Sequence, residues 1–273
     1  MNPVTRLRPL KVRSIWISDI HLGFRGCQAE FVRDFLQSTE CKQLYLVGDI
    51  IDVWAMQNGV YWPQTHNNVI RAILDKARQG TEVVFIPGNH DEVFREHIGI
   101  DLGNIAVRDE IIHTTADGRR LLIMHGDKFD QVVQNGRWLA MLGSRLYELL
   151  LSVNHRLNAV RRRLGRDYWS LAGFLKHRVK KAVNYIGNFE QAVAREARRR
   201  GVDGMVCGHI HHAEIRDIDG VMYCNCGDWV ESCTALIEHH DGSLGLLRWT
   251  GGHEVIATAW PEPAAAPALA RAS

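Results

Sequence analysis

No apolar run in this chain approaches the roughly 20 residues that a membrane-spanning helix needs; stretches such as Leu149-Leu150-Leu151 fall far short. Basic residues near the start (Arg6, Arg8, Lys11 and Arg13) are not followed by the apolar segment of a secretory signal, because residues 12–18 read as a strand. The expectation is a cytoplasmic protein that does not cross a membrane, although it could lie on the inner face of one. Charge imbalance is missing too. With 33 Lys and Arg against 31 Asp and Glu, the net charge of +2 gives no general reason to expect nucleic acid. None of the six cysteines (Cys27, Cys41, Cys207, Cys224, Cys226 and Cys233) forms a C-x-x-C pair, and a chain of 273 residues needs no disulfide staples. Reduced thiols are expected, with Cys224 and Cys226 open to a second reading as a redox or metal pair. No internal repeat is evident.

What the chain does have is order. Its first half alternates short apolar runs with amphipathic segments: residues 12–18, 44–47 and 83–86 read as strands. Phe31, Val32, Phe35 and Leu36 recur at helical spacing between the first two, and Val69, Ile70, Ile73, Leu74 and Ala77 between the next two. Gly80 follows as a helix-ending residue. This βαβαβ order predicts an α/β fold with parallel strands in its first half. Residues 121–124 and 205–207 read as two further strands, residues 213–225 as a hairpin around Gly220, and residues 233–238 and 244–249 as closing strands.

Five of these runs end in polar clusters. In order they are Asp19-x-His21, Gly48-Asp49-x-x-Asp52, Gly88-Asn89-His90-Asp91, His125 before Gly126-Asp127, and Gly208-His209-x-His211. Ligand sites of α/β sheets lie beyond the carboxyl ends of strands, which is where these clusters fall. Carboxylates, imidazoles and one amide suit Mn²⁺, Fe²⁺, Co²⁺ or Zn²⁺, and the lack of thiolates argues against a structural zinc site. Any one cluster alone would be weak evidence. Five at five strand ends point to a metal centre.

This ordered set resembles the calcineurin-like metallophosphoesterase superfamily, over residues from about 14 to 250. The resemblance implies a two-sheet β-sandwich flanked by helices. It also implies two divalent metal ions, Mn first among the candidates, one held by Asp19, His21, Asp49 and His211 and the other by Asp49, Asn89, His125 and His209. On that reading His90 stabilises the transition state or protonates the leaving oxygen, Asn89 also touches substrate, and Asp52 orients His90. Asp91 and Asp127 read as supporting or turn residues. Within the superfamily, Ser18-Asp19-Ile20-His21-Leu22, the stretch Leu46-Val47-Gly48-Asp49-Ile50-Ile51-Asp52-Val53-Trp54 and Arg120 through Asp127 resemble the pyrophosphatases that cleave UDP-2,3-diacylglucosamine in lipid A synthesis. The best-known branch of those enzymes has Arg where this chain has His90.

Residues 131–200 differ from the rest and read as a helical cap inserted in a core formed by residues 1–130 and 201–260, with a disordered Ala/Pro tail at 261–273. Trp138, Leu139, Leu142, Leu146, Leu149 and Leu150 supply an apolar side, which is either ordinary core or a chamber for acyl chains. Arg161, Arg162 and Arg163 are either a solvated face or an attraction for an anionic membrane or for nucleic-acid phosphates. Lys176, Lys180 and Lys181 are candidates for substrate phosphate; Lys176 and Lys180 lie four apart on one helix face. Three functions are weighed: hydrolysis of a lipid-linked nucleotide to UMP and a lipid phosphate, hydrolysis of a soluble or nucleic-acid phosphodiester, and a non-enzymatic scaffold. The absence of a basic groove interleaved with aromatics disfavours nucleic acid, and retention of every motif disfavours the scaffold.

Overall fold

The structure, a computed structural model, describes residues 9–57, 59–131, 171–251 and 253–259, with the side chains of residues 131 and 171–182 outside that description. In chain order the first elements are β1 (Leu10–Lys11), β2 (Ser14–Ile17), α1 (Ala29–Ser38), β3 (Thr39–Glu40), β4 (Gln43–Val47), α2 (Val53–Met56), α3 (Gln64–Arg78) and β5 (Glu82–Ile86). Then follow β6 (Asp101–Leu102), β7 (Ile105–Val107), β8 (Ile111–Thr114), β9 (Arg120–Ile123), α4 (Leu171–Arg200) and β10 (Gly204–Cys207). The last are β11 (Glu214–Ile218), β12 (Val221–Asn225), β13 (Thr234–Glu238), β14 (Leu244–Trp249) and β15 (His253–Ala259).

Two mixed sheets dominate. One has the order β15-β14-β13-β2-β4-β5-β7-β6 and the other β11-β12-β10-β9-β8. The expected parallel core is present: β2 pairs with β4 and β4 with β5, all parallel, and β9 pairs parallel with β10. Alternation along these strands decides which side chains go where. Ile15, Ile17, Leu44, Leu46 and Val83 join Val32 and Phe35 of α1 and Val69 and Ile73 of α3 in one core. The intervening Trp16, Tyr45, Val47, Val84 and Ile86 join Leu121, Ile123, Val206 and Cys224 of the second sheet in another. Strands buried on both faces are why residues 15–17 and 44–47 read as unbroken apolar runs. Each fully buried aliphatic side chain there contributes about 1.5–3 kcal/mol.

Near the amino ends of β2 and β4 the sheets are tied by charge. Glu238 accepts hydrogen bonds from Arg13 at 2.6 and 2.8 Å, from Ser14 Oγ at 2.8 Å and from the Ala116 amide at 2.7 Å, and it meets His113 Nε2 at 3.0 Å. Tyr45 Oη meets the other ring nitrogen of His113 at 2.9 Å. No local motif marks this network, which joins residues as much as 225 positions apart.

The chain divides into two compact units, Met1–Asp127 with Ala194–Ser273, and Lys128–Val193. Within the second, Phe129 meets Phe189 edge-on at 5.8 Å and Tyr185 Oη donates to Asp130 Oδ1 at 2.6 Å. Of the residues expected in a helical cap, 171–200 are helical, and 132–170, including the leucine side and Arg161–Arg163, lie outside the described residues. So do the side chains of Lys176, Lys180 and Lys181 and the Ala/Pro tail. Among the described residues, no helix is long and apolar enough to cross a membrane.

Candidate metal centre

Each motif occupies the turn at the carboxyl end of a strand, and the turns are tightly wound. Asp19, His21, Asp49, His209 and His211 all have positive φ, between 52° and 71°. For side chains larger than glycine this left-handed conformation costs on the order of 1–2 kcal/mol each, and such strain persists where the surroundings enforce it. Here the enforcement is mutual. Asp19 N–H donates to the Gly48 carbonyl at 3.0 Å, His21 N–H to Asp49 at 2.9 Å and Leu22 N–H to Ile50 at 2.9 Å, so the first two motif loops run side by side. Asp19 Oδ2 in turn accepts the amide of His209 at 3.0 Å.

Two glycines make the convergence possible. A Cβ on Gly48, whose φ is 78°, would overlap the His125 ring, and one on Gly88 would overlap the Asp49 carboxylate and backbone. Any side chain at either position would push a candidate ligand away.

The ligand-type atoms fall into three overlapping triads, each with its atoms within 4.8 Å of one another: Asp19, His21 and His211; His21, Asp49 and His90; and Asp49, His125 and His209. His125 Nδ1 donates to the Val47 carbonyl at 2.9 Å, leaving Nε2 to face Asp49 Oδ2 at 3.3 Å. His21 Nδ1 meets Asp52 Oδ2 at 3.0 Å, which leaves its Nε2 3.3 Å from His211 Nε2. Carboxylate and carbonyl partners on the far ring nitrogen are what orient metal-binding histidines. His211 Nε2 lies 3.2 Å from Asp19 Oδ1. Buried Asp19 Oδ1, Asn89 Oδ1 and His125 Nε2 make no hydrogen bond. Buried polar atoms without partners are costly, and this donor set fits divalent cations.

Asp52 also takes His90. His90 Nδ1 meets Asp52 Oδ1 at 3.0 Å, so one carboxylate orients both rings. The His90 ring meets His21 edge-on at 4.7 Å and lies over Trp54 at 4.5 Å. Its own amide donates to Asp49 Oδ1 at 2.8 Å.

Electrostatics follow from the packing. Burial works against charge on Asp19, Asp49 and Asp52, but the surrounding imidazoles more than offset it and hold all three carboxyls below their ordinary range. Burial also opposes charge on His125 and His211, yet Asp49 raises the first to about 10 and Asp19 the second to about 9. His90 is raised as well, against burial, chiefly by its bond to Asp52. Protonated His125 and His211 would pair with these carboxylates, and a cation bound there would displace their protons.

Six of the seven residues expected to bind metal (Asp19, His21, Asp49, His125, His209 and His211) lie in these triads, and the seventh, Asn89, is buried next to His90 in the chain. Asp127 does not join it; it forms a two-pronged pair with Arg95 at 2.8 and 2.9 Å. Sequence reasoning missed the Val47 carbonyl and Trp54, neither of which has a distinguishing residue type or spacing. The possible Cys224–Cys226 pair resolves into core packing: both thiols are free and fully buried, and burial pushes Cys224 up to about 12 and Cys226 well above its ordinary value. Such thiols do not ionise readily enough to bind metal or exchange.

The family model described as calcineurin-like phosphoesterase matches residues 12–213. The UDP-2,3-diacylglucosamine hydrolase of Edwardsiella ictaluri is 26% identical over 258 residues, covering 91% of this chain and 93% of that protein. The Haemophilus influenzae protein of the same name is also 26% identical, covering 86% of this chain and 98% of its own length. Among solved structures, the phosphoesterase Yfce of E. coli aligns at 14% identity with a TM-score of 0.47, covering 90% of this chain and 97% of that one. Vacuolar protein sorting 29 of Cryptosporidium parvum aligns at 13% with a TM-score of 0.45, covering 90% and 95%. The family match spans most of the chain and all five strand-end motifs, and on that ground this protein belongs to the calcineurin-like phosphoesterases and is a metal-dependent phosphoester hydrolase.

Proposed function

We propose that the cluster holds two divalent cations, with Mn²⁺ the first candidate and Fe, Co or Zn the others, and that the protein hydrolyses the pyrophosphate of UDP-2,3-diacylglucosamine or a similar lipid-linked nucleotide. The products are UMP and a lipid phosphate. The observation that favours two ions is the place of Asp49, which shares one triad with His125 and His209 and another with His21. Asp19, His21, Asp49 and His211 serve one ion; Asp49, Asn89, His125 and His209 serve the other. Bound together, such ions clamp a phosphoryl group and make water nucleophilic near neutral pH.

The chain's own residues do the rest. Asp52 keeps Nδ1 of His90 engaged, so His90 can present only Nε2 to a leaving oxygen and give it a proton. The same carboxylate keeps His21 turned toward the cluster. Asn89, beside His90, is placed to touch substrate as well as metal. Lys176, Lys180 and Lys181 are retained as phosphate contacts on charge and spacing alone. The names of the curated relatives supply the substrate class. His90 favours a second reading, a soluble or nucleic-acid phosphodiester, because the best-known lipid A branch has Arg at that position.

The test is Mn²⁺-dependent release of UMP from UDP-2,3-diacylglucosamine by the purified protein, with an aryl phosphodiester run in parallel. UMP release is the expected result. Cleavage of the aryl diester alone would discard the lipid substrate and leave the metal mechanism standing.

A further inference from the structure

Asp91 ends the Gly88-Asn89-His90-Asp91 motif and is completely buried. Its carboxylate accepts four main-chain N–H groups. Oδ1 takes Gly88 at 2.6 Å and Asp49 at 3.3 Å; Oδ2 takes Ile50 at 2.8 Å and Ile51 at 3.2 Å. Three of these donors are consecutive residues of the turn after β4, and the fourth belongs to the turn after β5. A carboxylate has about four lone-pair positions, and four donors fill them, so Asp91 has no capacity left to ligate a metal.

One bond runs the other way: Asp49 Oδ1 accepts the His90 amide at 2.8 Å. The Val53 amide adds a further tie by donating to the His90 carbonyl at 3.1 Å. Each motif thus grips the main chain of the other. Consecutive N–H groups converging on one anion form a nest, which requires a left-handed residue in the run. Asp49, with φ of 54°, is that residue.

We propose that Asp91 is a positioning residue of the metal centre: its buried carboxylate fixes the backbone of Asp49 in the left-handed conformation and sets the separation of Asp49 from Asn89. This rests on the metal-cluster reading above. It assigns the acid of the motif a function distinct from those of its neighbours: Asn89 binds, His90 acts on substrate, and Asp91 holds the loop that carries Asp49.

Asp91→Asn tests it. The amide has nearly the same shape, but its NH₂ would face main-chain N–H donors with no acceptor between them. Calorimetric titration of Mn²⁺ into the purified full chain should show affinity lowered about 10- to 100-fold, the range seen when groups supporting metal ligands are removed. Saturating Mn²⁺ should restore most of the kcat. Val69→Ala, on the buried face of α3 and in none of the candidate metal triads, controls for lost stability; it should lower the Tm and leave Mn²⁺ affinity unchanged. If Asp91→Asn does not accumulate folded, Asp91→Glu is titrated instead, with the same loss expected. Wild-type affinity in whichever variant folds would overturn the proposal, as would an equal loss in Val69→Ala. Failure of the wild-type chain itself to bind Mn²⁺ would instead overturn the metal-cluster reading.

Discussion

Asp49→Asn is expected to lower kcat/KM by about 10³-fold or more, because charge stabilisation by bound cations is worth several kcal/mol and each 1.36 kcal/mol is tenfold in rate. The substitution keeps the shape of the side chain and removes the negative charge that two triads share. It also leaves His125 and His21 beside a neutral amide, so the cluster loses its attraction for metal at both positions. Metal content and turnover should therefore fall together. An Asp49→Asn enzyme that kept both would show that Asp49 bridges nothing.

His90→Ala should behave differently. Metal content is expected to stay at the wild-type level, while turnover falls by about 10²- to 10⁴-fold, the span of general acid catalysis. The loss should be large for a leaving group that needs a proton and small for an aryl leaving group that departs as an anion. pH separates this function from the metal's. His90 has its pKa raised, against burial, by the Asp52 carboxylate, so it is protonated and able to donate until the pH rises through that raised value. Activity should decline there on the alkaline side, and His90→Ala should lack that decline. A uniform loss across leaving groups, with the alkaline limb intact, would remove His90 from proton donation.

Much of this site could be read from the chain because its residues lie in short local motifs attached to strand ends. Asp19-x-His21 and His209-x-His211 needed only the strand pattern to be placed, and β2 and β10 lie where the apolar runs at 12–18 and 205–207 put them. The same holds for Gly80, which follows α3 with φ of 98°. The short strands β6, β7 and β8 escaped notice. They hold two to four residues each, and their side chains are mostly half-buried or exposed, so no apolar run marks them. Contacts made by the main chain were equally hidden. Nothing in the residue type of Val47 shows that its carbonyl orients His125, and Asp91 looks like any turn carboxylate until its four donors are counted. Long-range ties such as Arg13 to Glu238 depend on the antiparallel register of β2 with β13, which no local pattern specifies.

The proton inventory gives the most direct test of the proposed two-cation site. Burial opposes protonation of His125 and His211, but Asp49 and Asp19 raise them to about 10 and about 9, so both are protonated at neutral pH before metal enters. A ligating imidazole must give up that proton, and binding should weaken as pH falls. Mn²⁺ titrated calorimetrically into the metal-free chain at neutral pH, in two buffers of different ionisation heat, reports stoichiometry and proton release together. Two ions per chain, with protons released on binding, is the expected result. A single ion would contradict a two-cation centre bridged by Asp49, and binding without proton release would contradict ligation by protonated His125 and His211.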